Sequence, residues 1–225
     1  MKLFGHEAMS REALAQFVKG LPPNLKFLGP LLTEHTVHHA LNRDVLDVIT
    51  AGHWRPDGQK HHFMRAAGQT ERQAYELGKR WIARNGKEAA ISLRKLLKLG
   101  STRNFNQNFI AGPLGYAFHA LQDSYAPAHV TRMKRGMDFV ITHVHVYDEK
   151  NKTAHDSWPG HDALDQKASV NWQNPLGQEA VAACRELTKI MVVSALEKTD
   201  AGFEQRWASL WRTFVSIFLC ERLSV

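Results

Sequence analysis

His119, Asp123 and His129 stand in the spacing His-x3-Asp-x5-His, inside the stretch Gly112 to His129. Residues four apart on a helix share a face, so His119 and Asp123 can address one ion. Pro127 ends that helix and turns the chain, which brings His129 back towards the same point. Imidazole nitrogen combined with carboxylate oxygen suits zinc. The competing assignment is a helix C-terminus with a cationic histidine near its dipole and Asp123 in solvent. Three ligand-type residues around one helix exit favour the metal.

Other residues of the same chemistry lie on either side. Val37, Leu41, Val45 and Val48 repeat at helical spacing, and Asp44 falls within their stripe while Asp47 sits nearer its edge. A carboxylate on a buried face needs a partner, which a metal or a basic side chain would supply. His53 to His62 is expected to be a loop because it contains Pro56-Asp57-Gly58, and loops carry function more often than packing does. Pro159-Gly160 opens a helix that would place His161 and Asp165 four apart on one face. His145 and Glu149 offer the same spacing on a strand, where two residues four apart converge on one ion less readily. His161 and Asp165, joined by His129, are therefore preferred for a second metal.

The wording His119-x-Leu121-Gln122-Asp123-Ser124-Tyr125-x-Pro127-x-His129 resembles the signature of the bacterial zinc-dependent phospholipase C family. That family shares its fold and three-metal site with the single-strand-specific fungal nucleases. Matching pieces run from His6 to Asp165, about the first three quarters of the chain. The resemblance implies an all-α compact bundle holding two or three zinc ions. It implies that His6, after Gly5, ligates a third zinc, and that an acidic residue at Asp44 or Asp47 joins that zinc and acts as general base. Asp47 better matches the family's separation from the next histidine, and Asp44 better matches the buried face. His62-Phe63 corresponds to the pair that adds a ligand to the zinc held by His119 and Asp123, with Asp123 as the bridge between metals. The implied activity is phosphodiester hydrolysis, closest to a phospholipase C cleaving head groups at a membrane surface. A nuclease acting on nucleic acid with the same metals is the alternative, and a catalytically silent metal-stabilised binding module is a third reading.

Composition agrees with an anionic partner. The chain of 225 residues carries a net charge of +7 and has a pI near 9.5, which suits a phospholipid surface or a nucleic acid equally. With 44% apolar residues it can bury a sizeable core as one domain. All 13 histidines lie between His6 and His161, which confines imidazole chemistry to that part and leaves the C-terminal helices as scaffold. No apolar run approaches the ~18 residues of a membrane span, and the first residues lack a signal-peptide core. The expectation is a protein that stays in the cytoplasm of its producer or leaves by a signal-independent route, as a bacterial toxin or effector would. Cys184 and Cys220 lack Cys-x-x-Cys spacing and are expected in the core.

Helices are expected over Ser10 to Leu21, Glu34 to Ala51, Gln69 to Leu99 with a break near Asn85-Gly86, and Phe109 to Ser124. Two more follow over Asp162 to Lys198, with a break at Asn174-Pro175, and Phe203 to Arg222. A small extended insertion is expected near 139–157, in which Phe139 to Tyr147 pairs with the chain from Thr153 onward. Gly112 and Gly115 predict a helix packed closely against theirs. Trp207, Trp211, Phe214 and Phe218 form an aromatic stripe that reads as core rather than membrane anchor. Lys87, Arg94, Lys95, Lys98 and Arg103 read as a solvated basic face.

Overall fold

The computed structural model describes residues 3–49, 55–100, 105–136, 138–147 and 174–223; for 3, 4, 44–49 and 138 it describes the backbone only. The protein is all-α with one small sheet. In chain order the elements are α1 (Leu3–Lys19), α2 (Leu28–Ile49), α3 (Glu71–Leu99), α4 (Asn108–Asp123), the strands β1 (Val130–Arg135) and β2 (Asp138–Val144), α5 (Pro175–Ala195) and α6 (Asp200–Phe218). Short 3-10 turns cover Pro23–Leu25 and Gln59–His62.

Twelve of the sixteen residues of α4 are buried, which makes it the central helix. It packs against α2, α3 and α5, while α1 lies across α2 and α5. The approach of α2 depends on Gly115. A Cβ there would fall 2.7 Å from the Thr36 carbonyl oxygen and 2.8 Å from Ala40 N, so no side chain fits. The close packing expected of the α4 glycines is present at this position.

The α3 helix runs without interruption for 29 residues, so the expected break near Asn85-Gly86 does not occur. The Asn85 amide donates to the Trp81 carbonyl within the helix, and Gly86 is a packing notch. A Cβ on Gly86 would stand 3.0 Å from the Trp207 ring and 3.2 Å from Leu187, which explains the glycine without a turn. The helix is bounded by a capping box of Thr70 with Gln73 and by Gly100 at φ 66°. Asn174 caps α5 and Pro175 opens it, so the expected break at that pair is a helix start.

Two expectations near the site change. The first helix begins at Leu3, well before Ser10, so His6 lies on α1 rather than ahead of it. Extended structure begins earlier too. Strand β2 pairs backwards with β1 across a turn at Gly136 (φ 60°), with Val130 opposite Val144 and Arg135 opposite Asp138. The β-branched and basic run Val130 to Arg135 is the strand that periodicity after His129 left unassigned. Thr153 lies outside the described residues. On the far side of β2, Ile141 N donates to the Cys220 carbonyl (2.9 Å) and Arg222 N to the Ile141 carbonyl (2.8 Å).

Trp207 and Phe214 are buried, and the Trp207 and Trp211 rings stack 6.2 Å apart, so the aromatic stripe of α6 is core. The basic face of α3 turns partly inwards. Lys87 pairs with Glu204 at 2.6 Å, and Arg94 pairs with Asp200 while donating to the Glu197 and Lys198 carbonyls, so these cations dock α6. Arg103 lies outside the described residues. Cys184 is fully buried and Cys220 half-buried, and burial pushes the Cys184 thiol far up. Among the described residues no helix is long and apolar enough to cross a membrane.

Candidate metal centre

Four elements converge on Asp123, the last residue of α4. The helix places His119 one turn earlier on the same face, with Nε2 at 3.2 Å from Asp123 Oδ2. The 3-10 turn at Gln59–His62 delivers His62 Nδ1 to 3.1 Å from the same oxygen. From α1, His6 Nε2 stands 3.4 Å from the other oxygen, Oδ1. Past the turn at Ala126 and Pro127, His129 comes back to place Nδ1 at 3.6 Å from Oδ2. His6, His119 and Asp123 are each 0% exposed, His62 1% and His129 3%, so the whole cluster is shielded from bulk water.

Three imidazoles commit Nδ1 to an oxygen acceptor. His6 Nδ1 meets the Gln122 amide oxygen at 2.6 Å, His119 Nδ1 meets the Ala40 carbonyl at 3.0 Å and His129 Nδ1 meets the His62 carbonyl at 2.8 Å. An oxygen acceptor at Nδ1 requires a proton there, so in the neutral ring Nε2 carries the lone pair; for His6 and His119 that nitrogen faces Asp123, whereas His129 faces it with Nδ1 itself. Outer hydrogen bonds of this kind orient histidines that hold metals. Gln122 is itself fixed, since its amide nitrogen donates to Ser10 Oγ at 2.9 Å. His6 and His119 stack with centroids 4.3 Å apart, an arrangement that disfavours two imidazolium charges.

The remaining geometry concerns His62 and His119. Their facing nitrogens are 3.0 Å apart, and each also lies 3.1 to 3.2 Å from Asp123 Oδ2. With its proton on Nδ1, His119 turns the Nε2 lone pair towards a carboxylate oxygen and a second imidazole nitrogen, an arrangement that a cation among the three would satisfy. A triangle with these edges is close to the ~3.3 Å ligand separation of a tetrahedral zinc site with bonds of about 2.0 Å. Burial alone would push the Asp123 carboxyl up, but at the acid pH where it titrates the surrounding imidazoles carry charge, His129 foremost with His119 and His6, and they hold it well below the usual carboxylate range. His6, His119 and Asp123, whose donor atoms all lie within 4.8 Å of one another, form a buried group that could hold a metal ion.

Of the residues singled out in the sequence, His6, His62, His119 and His129 gather around Asp123, and the donor atoms of His6, His119 and Asp123 all lie within reach of one ion. Asp44 and Asp47 lie on the α2 backbone, with side chains outside the described residues. His161 and Asp165 lie outside them altogether, as do His53 and Glu149. His145 is buried one strand away. Its backbone N donates to the His129 carbonyl at 2.9 Å and its Nε2 contacts Thr131 Oγ1 at 2.9 Å. His143 points to Glu71 at 2.5 Å instead of to the centre. His61 packs on Trp81, with centroids 4.4 Å apart. Sequence reasoning assigned no role to Gln122, Ser10 or Ala40. Gln122 was visible beside Asp123, whereas a backbone carbonyl such as that of Ala40 leaves no mark on side-chain spacing.

The chain matches no protein-family model, no curated protein and no solved structure. What fold and site define together is an all-α chain with a buried imidazole and carboxylate group able to hold a metal.

Proposed function

We propose that this protein is a zinc-dependent phosphodiesterase of the phospholipase C and nuclease type, acting first on phospholipid head groups. The observation that carries the reading is the division of the Asp123 carboxylate, with Oδ1 towards His6 and Oδ2 towards His62 and His119. A carboxylate addressed from both oxygens suits a bridge between two cations. His6, His62, His119 and Asp123 would hold the zinc, with Asp123 shared where two ions bind. His129 stands beside them. Zinc, when bound, supplies the Lewis acidity that activates water and neutralises charge on a phosphate. Gln122 and Ala40 keep His6 and His119 in the tautomer whose Nε2, facing Asp123, can ligate. Asp44, one helical turn beyond Ala40 in α2, or Asp47 would take the proton from the attacking water. His161 and Asp165 belong to the reading through the sequence pattern alone.

The test is zinc content together with hydrolysis of phosphatidylcholine and of single-stranded DNA, before and after chelation. At least two zinc ions per chain and a chelator-sensitive lipid activity are expected. DNA cleavage without lipid cleavage would move the reading to the nuclease. Asp123→Asn keeps the side-chain shape but removes the charge and one good ligand oxygen, so activity should fall at least 100-fold while circular dichroism keeps its helical signal. Less than one zinc per chain after gentle purification, or an Asp123→Asn variant that keeps most of the activity, sinks it.

A second reading has its own support. All five residues are at most 3% exposed, as expected of a metal that stabilises a fold without turning over substrate. Stoichiometric zinc with no phosphodiesterase activity on either substrate would select it.

A further inference from the structure

Phe63 follows the candidate ligand His62 and adopts φ 52°, ψ 39°, the only left-handed non-glycine residue among those described. Glycine or asparagine would occupy that conformation at little cost, whereas a bulky aromatic there is an outlier that its surroundings must hold in place. The ring is 0% exposed and lies directly on Gly78 of α3. A Cβ at Gly78 would come within 2.6 Å of Phe63 Cδ2, so the helix leaves a hole that the ring fills. Glycine inside a helix is unfavourable in itself, and the ring accounts for it. The Tyr75 ring meets Phe63 edge-on at 6.0 Å, and its hydroxyl is anchored on the Leu219 carbonyl at 2.7 Å.

The left-handed turn sets two groups of His62 at once. Its ring Nδ1 faces Asp123 Oδ2 and His119 Nε2, and its carbonyl accepts from His129 Nδ1 at 2.8 Å. Immediately beyond, Arg65 N donates to the His145 carbonyl at 2.8 Å and ties the turn to the chain leaving β2. A right-handed Phe63 would send the chain elsewhere and separate these contacts. None of the described candidate ligands lies on α3, and the hole at Gly78 is where that helix takes up the residue next to His62.

We propose that Phe63 and Gly78 form a lock that positions His62, its ring against Asp123 and its carbonyl against His129, so that both histidines are set by one backbone conformation. The proposal rests on the metal-centre reading, and both residues are positioning residues. Two measurements test it in Phe63→Gly, Gly78→Ala and a control, Leu93→Ala, which removes buried volume far along α3. One is the zinc Kd by competition with a chromophoric chelator, at a temperature where circular dichroism shows each variant folded. The other is the His129 Nδ1–H signal in long-range nitrogen–proton NMR of zinc-free protein.

Phe63→Gly relieves the backbone outlier yet removes the ring. It should weaken zinc at least ~10-fold, the range for lost outer-shell support, and shift or abolish the His129 signal. Gly78→Ala should do the same. Leu93→Ala should lower the melting temperature and leave both readouts in place. A Phe63→Gly protein that melts lower but keeps the wild-type Kd and signal overturns the proposal, and it decides alone if Gly78→Ala does not fold. If wild-type protein takes up no zinc, the metal reading fails, and the His129 signal still reports whether the lock holds His62.

Discussion

His119 and Ala40, 79 positions apart, are joined by one hydrogen bond of 3.0 Å from the imidazole Nδ1 to the backbone carbonyl. The bond exists because Gly115, one turn before His119, lets α2 lie against α4 without an intervening side chain. One missing Cβ therefore sets both a helix packing distance and the tautomer of a candidate ligand.

Gly115→Ala tests that link. The added methyl meets backbone atoms, which cannot rotate away, so α2 must shift. Overpacking of this kind costs roughly 1–3 kcal/mol, and thermal or urea unfolding of the zinc-free protein should show a loss of that order. Zinc affinity should fall as well, because the Ala40 carbonyl moves off Nδ1. Gly112→Ala is the comparison. A Cβ there would lie 3.8 Å from the His39 ring, an ordinary contact, so stability and affinity should change little.

Gln122→Leu isolates the support of His6. The substitution keeps a similar volume but removes the acceptor of His6 Nδ1 and the donor to Ser10 Oγ. Leaving buried polar groups unsatisfied costs about 1–3 kcal/mol each. Unfolding should show that loss, and zinc retention during dialysis against a chelator should fall, with His6→Ala giving a similar retention. Retention equal to wild type in both variants would place His6 outside the centre.

The Asp123 carboxyl gives a pH signature. Its folded value lies below the unfolded value of about 3.9, so its contribution to stability is complete above that value and is lost as pH falls towards the folded one. In zinc-free protein, unfolding free energy against pH should therefore steepen below about pH 4, and Asp123→Asn should flatten this limb. Zinc-loaded protein should lose its metal at higher pH, because ligation requires neutral imidazole. Chelated and loaded unfolding curves that already coincide at neutral pH would remove the metal from the account.

The helices and the centre of the site were legible to different depths. His119 and Asp123 could be paired from spacing alone, because four residues on a helix fix a shared face whatever surrounds them. Pro127 likewise announced the turn that returns His129. Periodicity failed where a residue serves packing instead of the chain's local course. Gly86 looked like a helix break because its reason, the Trp207 ring, comes from 121 positions later. The strand Val130 to Arg135 lay hidden behind His129, since its charged residues obscure the alternation and only its partner makes it extended. Phe63 carried no sign of its left-handed backbone, which follows from the hole at Gly78 and from no local preference.

A two-stranded ribbon has two outer edges, each able to recruit a strand from another molecule. Here β2 spends its outer edge at Ile141 on Cys220 and Arg222 of the same chain. The outer strand β1 carries the exposed Lys134 and Arg135, whose charges discourage a second copy from pairing. Residues 219–223 thus cover the β2 edge from within the same chain. A chain cut after Phe218 would expose the Ile141 edge and should aggregate more readily, and it should also melt lower, having lost Leu219 and Leu223 from the core and the acceptor of the Tyr75 hydroxyl.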